Sequence, residues 1–408
     1  MPAKRVVLVT PGQPALNPRL VKEADALTCA GFDVLVIYAY WNAWGTAFDM
    51  ELLKTRKWKV KRVGGDPENS VLTFFLSRIL YKISVTVTKI LPDSIFKDWA
   101  IARGSFFLIR EAKKHKADLY IGHNCGALPA IVKAAKRYGK PCGFDAEDFH
   151  RAELTDDRND FDSMLKARIE EQYLPQVAYL SSSSPGISRA YRDLFVDKSP
   201  VTLLNVFPVE PRVKSAKAVD ADIIKLFWFS QTISPARGVS DCVKSLKLID
   251  RPGIELHLLG QIDENTRAQL LADAGHNVKV IFHEPISPDE VIFFANNFDI
   301  GLAMEESVPF NRDICLTNKI FTYMQAGLAI VASDTTGQAE LIAGYSDAGE
   351  IYRKGDLNSF VKVINHYMDN PDDLFKAKES SFKIGREELN WENESTKFIE
   401  LINDTLAD

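Results

Sequence analysis

The 408-residue chain has little cysteine and no cysteine framework: Cys29, Cys125, Cys142, Cys242 and Cys315 are scattered, odd in number and never spaced C-x-x-C. That pattern argues against a disulfide scaffold or a structural zinc site, and it suits a reducing cytoplasm. Basic excess is also missing, with 50 Lys and Arg against 55 Asp and Glu and a net charge of −5. A general nucleic-acid binder would carry the opposite balance, so no nucleic-acid partner is expected. No G-x-G-x-x-G follows the first apolar run; Thr10-Pro11-Gly12-Gln13-Pro14 stands there instead. A nicotinamide dehydrogenase is thereby disfavoured. The run Val6-Val7-Leu8-Val9 after Lys4-Arg5 stops at Thr10, too early for a secretory leader.

Long unbroken apolar runs are lacking as well. The richest segment, residues 71–91, is interrupted by Arg78, Lys82 and Lys89, which disfavours a spanning helix. Those bases share one helical face by their offsets of four and seven. Two readings stay open: an amphipathic helix packed on its own domain, or a helix lying on an anionic membrane surface. The second would place the protein at the inner face of the membrane, with peripheral contact through 71–91. Two Asp-x-Asp triplets, Asp160-Phe161-Asp162 and Asp220-Ala221-Asp222, fall in acidic loop and linker and read as chance, so no metal site is expected.

What is present is a repeating alternation. Short apolar runs such as Val6–Val9, Val34–Ile37, Leu119–Ile121 and Cys142–Phe144 are separated by segments of helical period. A second series begins after Pro208, with Leu226–Phe229, Glu255–Leu259, Val278–Ile281, Ile300–Ala303 and Ala329–Ala332. Buried strands alternating with helices imply parallel sheets covered on both faces. The predicted fold class is α/β, with two Rossmann-like doubly wound domains and an interdomain cleft. The predicted boundaries are 1–205, 206–388 and a C-terminal helix over 389–408 that could return to the first domain. Asn205–Asp222, with two prolines, reads as the linker.

Open α/β sheets bind ligands beyond the carboxyl ends of their strands, so those ends carry the candidates. Asn318-Lys319 opens a helix ahead of the strand Ala329–Ala332, and Ser333-Asp334-Thr335-Thr336-Gly337 leads into another. Exposed N–H groups at helix starts favour anions, and Lys319 adds a compact positive charge. Arg237-Gly238, after the loop Ser230–Ala236, can clamp a diphosphate. In the first half, Gly12 and Arg19 follow the first strand, and Glu147, Asp148 and His150 follow the strand at Phe144. A carboxylate there can take a proton from a hydroxyl, orient a sugar or merely cap a helix. His123 is as readily structural as functional.

These elements, in this order, resemble the retaining GT-B glycosyltransferases classed as family four. The resemblance rests on Asn17-Pro18-Arg19-Leu20-Val21-Lys22-Glu23, Gly31-Phe32-Asp33-Val34, His123-Asn124, Gln231 with Arg237-Gly238, the unit from Leu316 to Ser333, and Gly337-Gln338-Ala339-Glu340. It is weakest at about residues 45–110 and 155–200. It implies a hexosyl transfer, without a metal, from a UDP- or GDP-sugar donor to a saccharide or lipid-linked acceptor, in polysaccharide or glycolipid synthesis. No cofactor is implied beyond the donor substrate. It also implies donor contacts at Gly12, Arg19, Gln231, Arg237, Asn318, Lys319, Gly337 and Glu340, with Glu147, Asp148 and His150 on the catalytic side. The group's paired glutamates fall at Ile314 and Thr322 here, so the ribose-binding acid is missing; Glu305, Glu306 or Asp313 could replace it. A nucleotide-sugar epimerase and a non-catalytic nucleotide-sugar-binding partner are the alternatives.

Overall fold

The structure is a computed structural model that describes residues 3–220, 222–234 and 238–407. The chain divides into two compact units, Met1–Leu203 with Ser395–Asp408, and Leu204–Glu394. Each is built on one parallel sheet.

The first unit contains β1 (Arg5–Thr10), β2 (Asp33–Ala39), β3 (Lys59–Val63), β4 (Leu119–His123), β5 (Cys142–Ala146), β6 (Tyr179–Ser182) and β7 (Val201–Thr202). Their order is β3-β2-β1-β4-β5-β6-β7, and every pairing is parallel. The continuous apolar run of β1 is buried from Val6 to Thr10, as a strand covered on both faces requires. The helix Pro18–Cys29 begins where Asn17 accepts a hydrogen bond from the Leu20 amide at 3.0 Å and proline fills the first turn. Val6, Leu8, Val36, Leu119 and Ile121 form the core, joined by Phe398 and Ile402 of the last helix, Trp391–Ala407.

The second unit holds β8 (Ile224–Thr232), β9 (Ile254–Gln261), β10 (Val278–His283), β11 (Ile300–Ala303), β12 (Ala329–Ser333) and β13 (Gly349–Tyr352), in the order β10-β9-β8-β11-β12-β13. Alternation along β8 sends Leu226 and Trp228 into one core and Phe227 with Phe229 into the other, so both faces are covered.

Two expectations change. The segment read as a linker packs onto the second unit: Val206 and Val213 are buried in its core, and Arg386 Nη1 donates to the Val213 carbonyl at 2.6 Å. Prolines there end regular structure without freeing the chain. The strand expected to stop at Phe144 continues as β5 to Ala146, so Asp145 is a strand residue rather than a loop residue.

Candidate functional site

In the second sheet, chain order reverses between β8 and β11, and the crevice beyond such a reversal is where α/β sheets place ligands. Three helices start at this edge: Val239–Lys247, Asn318–Ala326 and Thr336–Gly344. Gly238, at φ +78°, opens the first of them, and a Cβ there would stand 2.9 Å from Met304 Cβ at the end of β11. A larger residue would push this helix start away from the strand end.

Lys319 Nζ donates to Glu305 Oε1 at 2.7 Å, and Thr317 Oγ1 donates to the same oxygen at 2.9 Å. The pair is largely enclosed, at 13% and 12% exposure, with Lys319 Nζ 5.9 Å from the Trp228 ring centre. Ser333 fixes Glu305 from β12: its Oγ accepts from the Glu305 amide at 3.0 Å and donates to the Glu305 carbonyl at 2.9 Å. Buried Gln338 then ties Ser333 Oγ (2.9 Å) to Thr335 Oγ1 (3.2 Å). The result is a positioned ammonium–carboxylate pair beside helix N-termini, a setting that suits an anion carrying hydroxyl groups.

The other acids are committed elsewhere. Asp313 accepts from the Thr336 amide at 3.2 Å and from its hydroxyl at 2.6 Å, capping the helix Thr336–Gly344. Glu306 pairs with Lys354 at 2.7 Å. Of the three substitutes weighed for the missing glutamate, only Glu305 stands at Lys319.

Asn318 is the first helical residue, while Thr317 holds the N-cap position. Gly337 lies inside the first turn of its helix, where a Cβ would approach the Cys315 carbonyl oxygen to 2.6 Å; its smallness serves packing. Gln231, at the end of β8, and Glu340 are exposed. Arg237 lies outside the described residues.

The first sheet reverses between β1 and β4. Here the structure places a charge cluster. Arg19 donates through Nε and Nη2 to the two oxygens of Asp145, at 2.5 and 2.7 Å, and through Nη1 to the Leu203 carbonyl at 2.6 Å. The guanidinium is therefore buried and committed within the unit, not turned outward to a phosphate. The reason is the extra length of β5, which carries Asp145 inward beneath the helix Pro18–Cys29. Ser181 Oγ adds a further bond to Asp145 at 2.7 Å.

His123 lies 3.1 Å from Glu23, 3.5 Å from Asp145 and 3.4 Å from Glu147, without hydrogen-bond alignment to any of them. Burial alone would lower the His123 value, but Glu23, Asp145 and Glu147 raise it well above the usual imidazole range. Burial likewise pushes Glu23 up. Asp145 is held far below the carboxylate range, since Arg19 and His123 outweigh its burial. Lys22 is lowered to about 7 by burial and by the neighbouring Arg19. Glu23, His123 and Asp145 place one ligand atom each within 4.8 Å of one another. Because Arg19 grips both oxygens of Asp145, the cluster fits a self-neutralised ion lattice better than a cation.

Glu147 is half-buried beside His123, and Asp148 is half-buried in the same loop. His150 is not part of this cluster. The turn His150–Ala152 sends its ring inward, where Nδ1 lies 3.2 Å from Glu153 and the backbone amide donates to Tyr191 Oη at 3.2 Å. Gly12 follows β1, and a Cβ there would meet nothing within 4 Å. Asn124, at the end of β4, has φ +66°, the one positive value at a non-glycine among the described residues. Such backbone conformations concentrate at functional sites. Sequence reading missed Asn124, Glu23 and Lys22 as site residues; the signals that pointed there are the His123-Asn124 dipeptide closing a strand and the run Asn17 to Glu23.

Residues 215–384 match the family model described as glycosyl transferases group 1. That span covers most of the second unit and less than half of the chain. The Lys319–Glu305 pair and the three helix starts all lie inside the matched span. Curated proteins compared by sequence give no match. Among solved structures, sucrose-phosphate synthase from Thermosynechococcus elongatus is similar at 13% identity and TM-score 0.69, over 99% of both chains. Anabaena HepE in complex with UDP is similar at 13% identity and TM-score 0.68, over 98% of this chain and 100% of its own. WaaG, a glycosyltransferase involved in lipopolysaccharide biosynthesis, gives 13% identity and TM-score 0.63, over 97% and 99%. At such identities the likeness establishes the GT-B architecture of paired parallel-sheet units.

Proposed function

We propose that the chain transfers a sugar from a UDP- or GDP-sugar to a hydroxyl of a saccharide or lipid-linked acceptor, with retention at the anomeric carbon and without a metal. The observation that carries this reading is the Lys319–Glu305 pair at the strand-order reversal of the second sheet. Lys319, with the helix N-termini and Arg237, would neutralise the charge that develops on the departing nucleoside diphosphate. Glu305 would take the ribose hydroxyls in place of the absent glutamate pair. UDP is the first nucleotide to test, since HepE is described in complex with it.

Retention is supported by the state of the first unit's carboxylates. Asp145 is held by Arg19, and Glu147 lies 3.4 Å from His123, whose value the surrounding acids raise, so neither is set up as a strong base. Glu147 would then orient the transferred sugar. A cytoplasmic setting is supported by five cysteines that are all free.

A thermal-shift panel of nucleoside diphosphates and nucleotide sugars tests the donor, because a ligand of the native state raises its stability. Stabilisation by UDP or GDP, followed by product with the donor's anomeric configuration, is the expected result. No shift with any nucleotide would overturn the reading. Conversion of donor alone to its epimer would establish an epimerase instead.

A further inference from the structure

The helix Val71–Ile90 presents its faces in the reverse of a normal surface helix. Its buried residues are Phe74, Ser77, Ser84 and Thr88, and Ser77 and Ser84 turn their hydroxyls back onto the helix's own carbonyls, each at 2.7 Å. Its apolar residues point out: Leu72 is 87% exposed, Ile79 54%, Ile83 48% and Ile90 74%. The reading of this segment as an amphipathic helix whose apolar stripe faces its own domain therefore fails.

The helix carries no acid, and Arg78, Lys82 and Lys89 lie together along one flank of the apolar stripe. At its C-terminal end, a cavity of about 200 Å³ is lined by Lys89, Pro92, Phe161, Met164, Leu165 and Arg168. That groove is apolar with two cations and no anion. Near the other end, Tyr40 packs edge-on against Phe74 at 5.7 Å, and the next residue, Trp41, is exposed.

The 20 residues reach about 30 Å, long enough to cross a bilayer. A crossing is inconsistent with the packed inward face and with β3 and the helix Ser105–Ala112 continuing the same unit at either end. A helix lying flat at an interface is the arrangement that uses an apolar stripe, a basic flank and an exposed tryptophan together.

We infer that the first unit docks on an anionic lipid bilayer through the outward face of Val71–Ile90, with Lys82 and Lys89 meeting lipid phosphates. The inference does not depend on the nucleotide-sugar reading. A peripheral enzyme so placed would meet acceptors embedded in that surface.

Vesicle co-sedimentation of the full chain tests it, with phosphatidylcholine alone and phosphatidylcholine mixed with phosphatidylglycerol. Binding to the anionic vesicles should be at least ~10-fold tighter and should weaken with salt. Ile79→Glu with Ile83→Glu should abolish binding, while Lys82→Glu with Lys89→Glu should erase the anionic preference. All four positions are exposed or on the outward flank, so unchanged circular dichroism and melting should accompany both losses. Equal affinity for both vesicles, or no binding to either, would overturn the inference. So would a concentration-dependent dimer, broken by the Ile79 and Ile83 changes, that ignores vesicles; a second copy would then be the occupant.

Discussion

Both sheets reverse their strand order, and both place charged side chains near that reversal, yet they handle the charge differently. The first unit closes its charges on one another: Arg19 and Asp145, Glu23 and His123, all buried. The second places the ion pair of Lys319 and Glu305 at the mouth of three helix starts. A buried lattice of opposite charges builds a rigid wall, since exchanging any member leaves its partner buried and uncompensated. A single pair beside helix N-termini can trade its carboxylate for a phosphate. The contrast teaches that charge at a strand end is not by itself a ligand site; what matters is whether the neighbours have already spent it.

The largest effect should come from breaking the lattice. Asp145→Ala strands Arg19 without its carboxylate and should cost about 3–5 kcal/mol in the first unit, read as a lower urea midpoint. Glu305→Gln, in the second unit, should cost far less. Equal losses would erase the distinction between the two regions.

Next in size is Gly337→Ala. The added Cβ would meet the Cys315 carbonyl oxygen at 2.6 Å and displace the helix Thr336–Gly344 from the segment that supports it. A loss of about 1–3 kcal/mol is expected in denaturant titrations of the second unit, with the first unaffected.

The pH dependence sharpens the comparison further, at up to ~1.4 kcal/mol per pH unit for each proton involved. His123 is raised by Glu23, Asp145 and Glu147 against its burial. Its contribution is complete below its unfolded value of about 6.5 and is lost as pH rises through the folded value. Lys22 acts in the opposite sense. It is lowered to about 7, so its penalty is relieved as pH climbs from there toward its unfolded value of about 10.4. Raised Glu23 adds a fall that starts at its unfolded value of about 4.3. His123→Gln should flatten the fall and Lys22→Met the rise, in urea midpoints taken across neutral pH.

Much of the architecture was legible in the sequence because parallel strands buried on both faces read as plain apolar runs. β11 falls on Ile300–Ala303 as expected. β3 was not legible: Lys59-Val60-Lys61-Arg62-Val63 is an edge strand whose charges face solvent. The second-unit edge was legible through its small-residue loop and helix starts, since those are local signals. Arg19 was misread because its partner stands 126 residues away, and no local pattern shows that β5 runs on to Asp145. The pairing of Lys319 with Glu305 across 14 residues was half-visible, with the acid named but its partner unassigned.

Calorimetric titration of the wild type and Lys319→Ala with the diphosphate that stabilises the protein tests the central claim most directly. The ammonium beside Glu305 should be worth more than tenfold in affinity, or ~1.4 kcal/mol, with folding of the variant intact. Undiminished affinity in the folded variant would contradict the account and move the donor away from this strand edge.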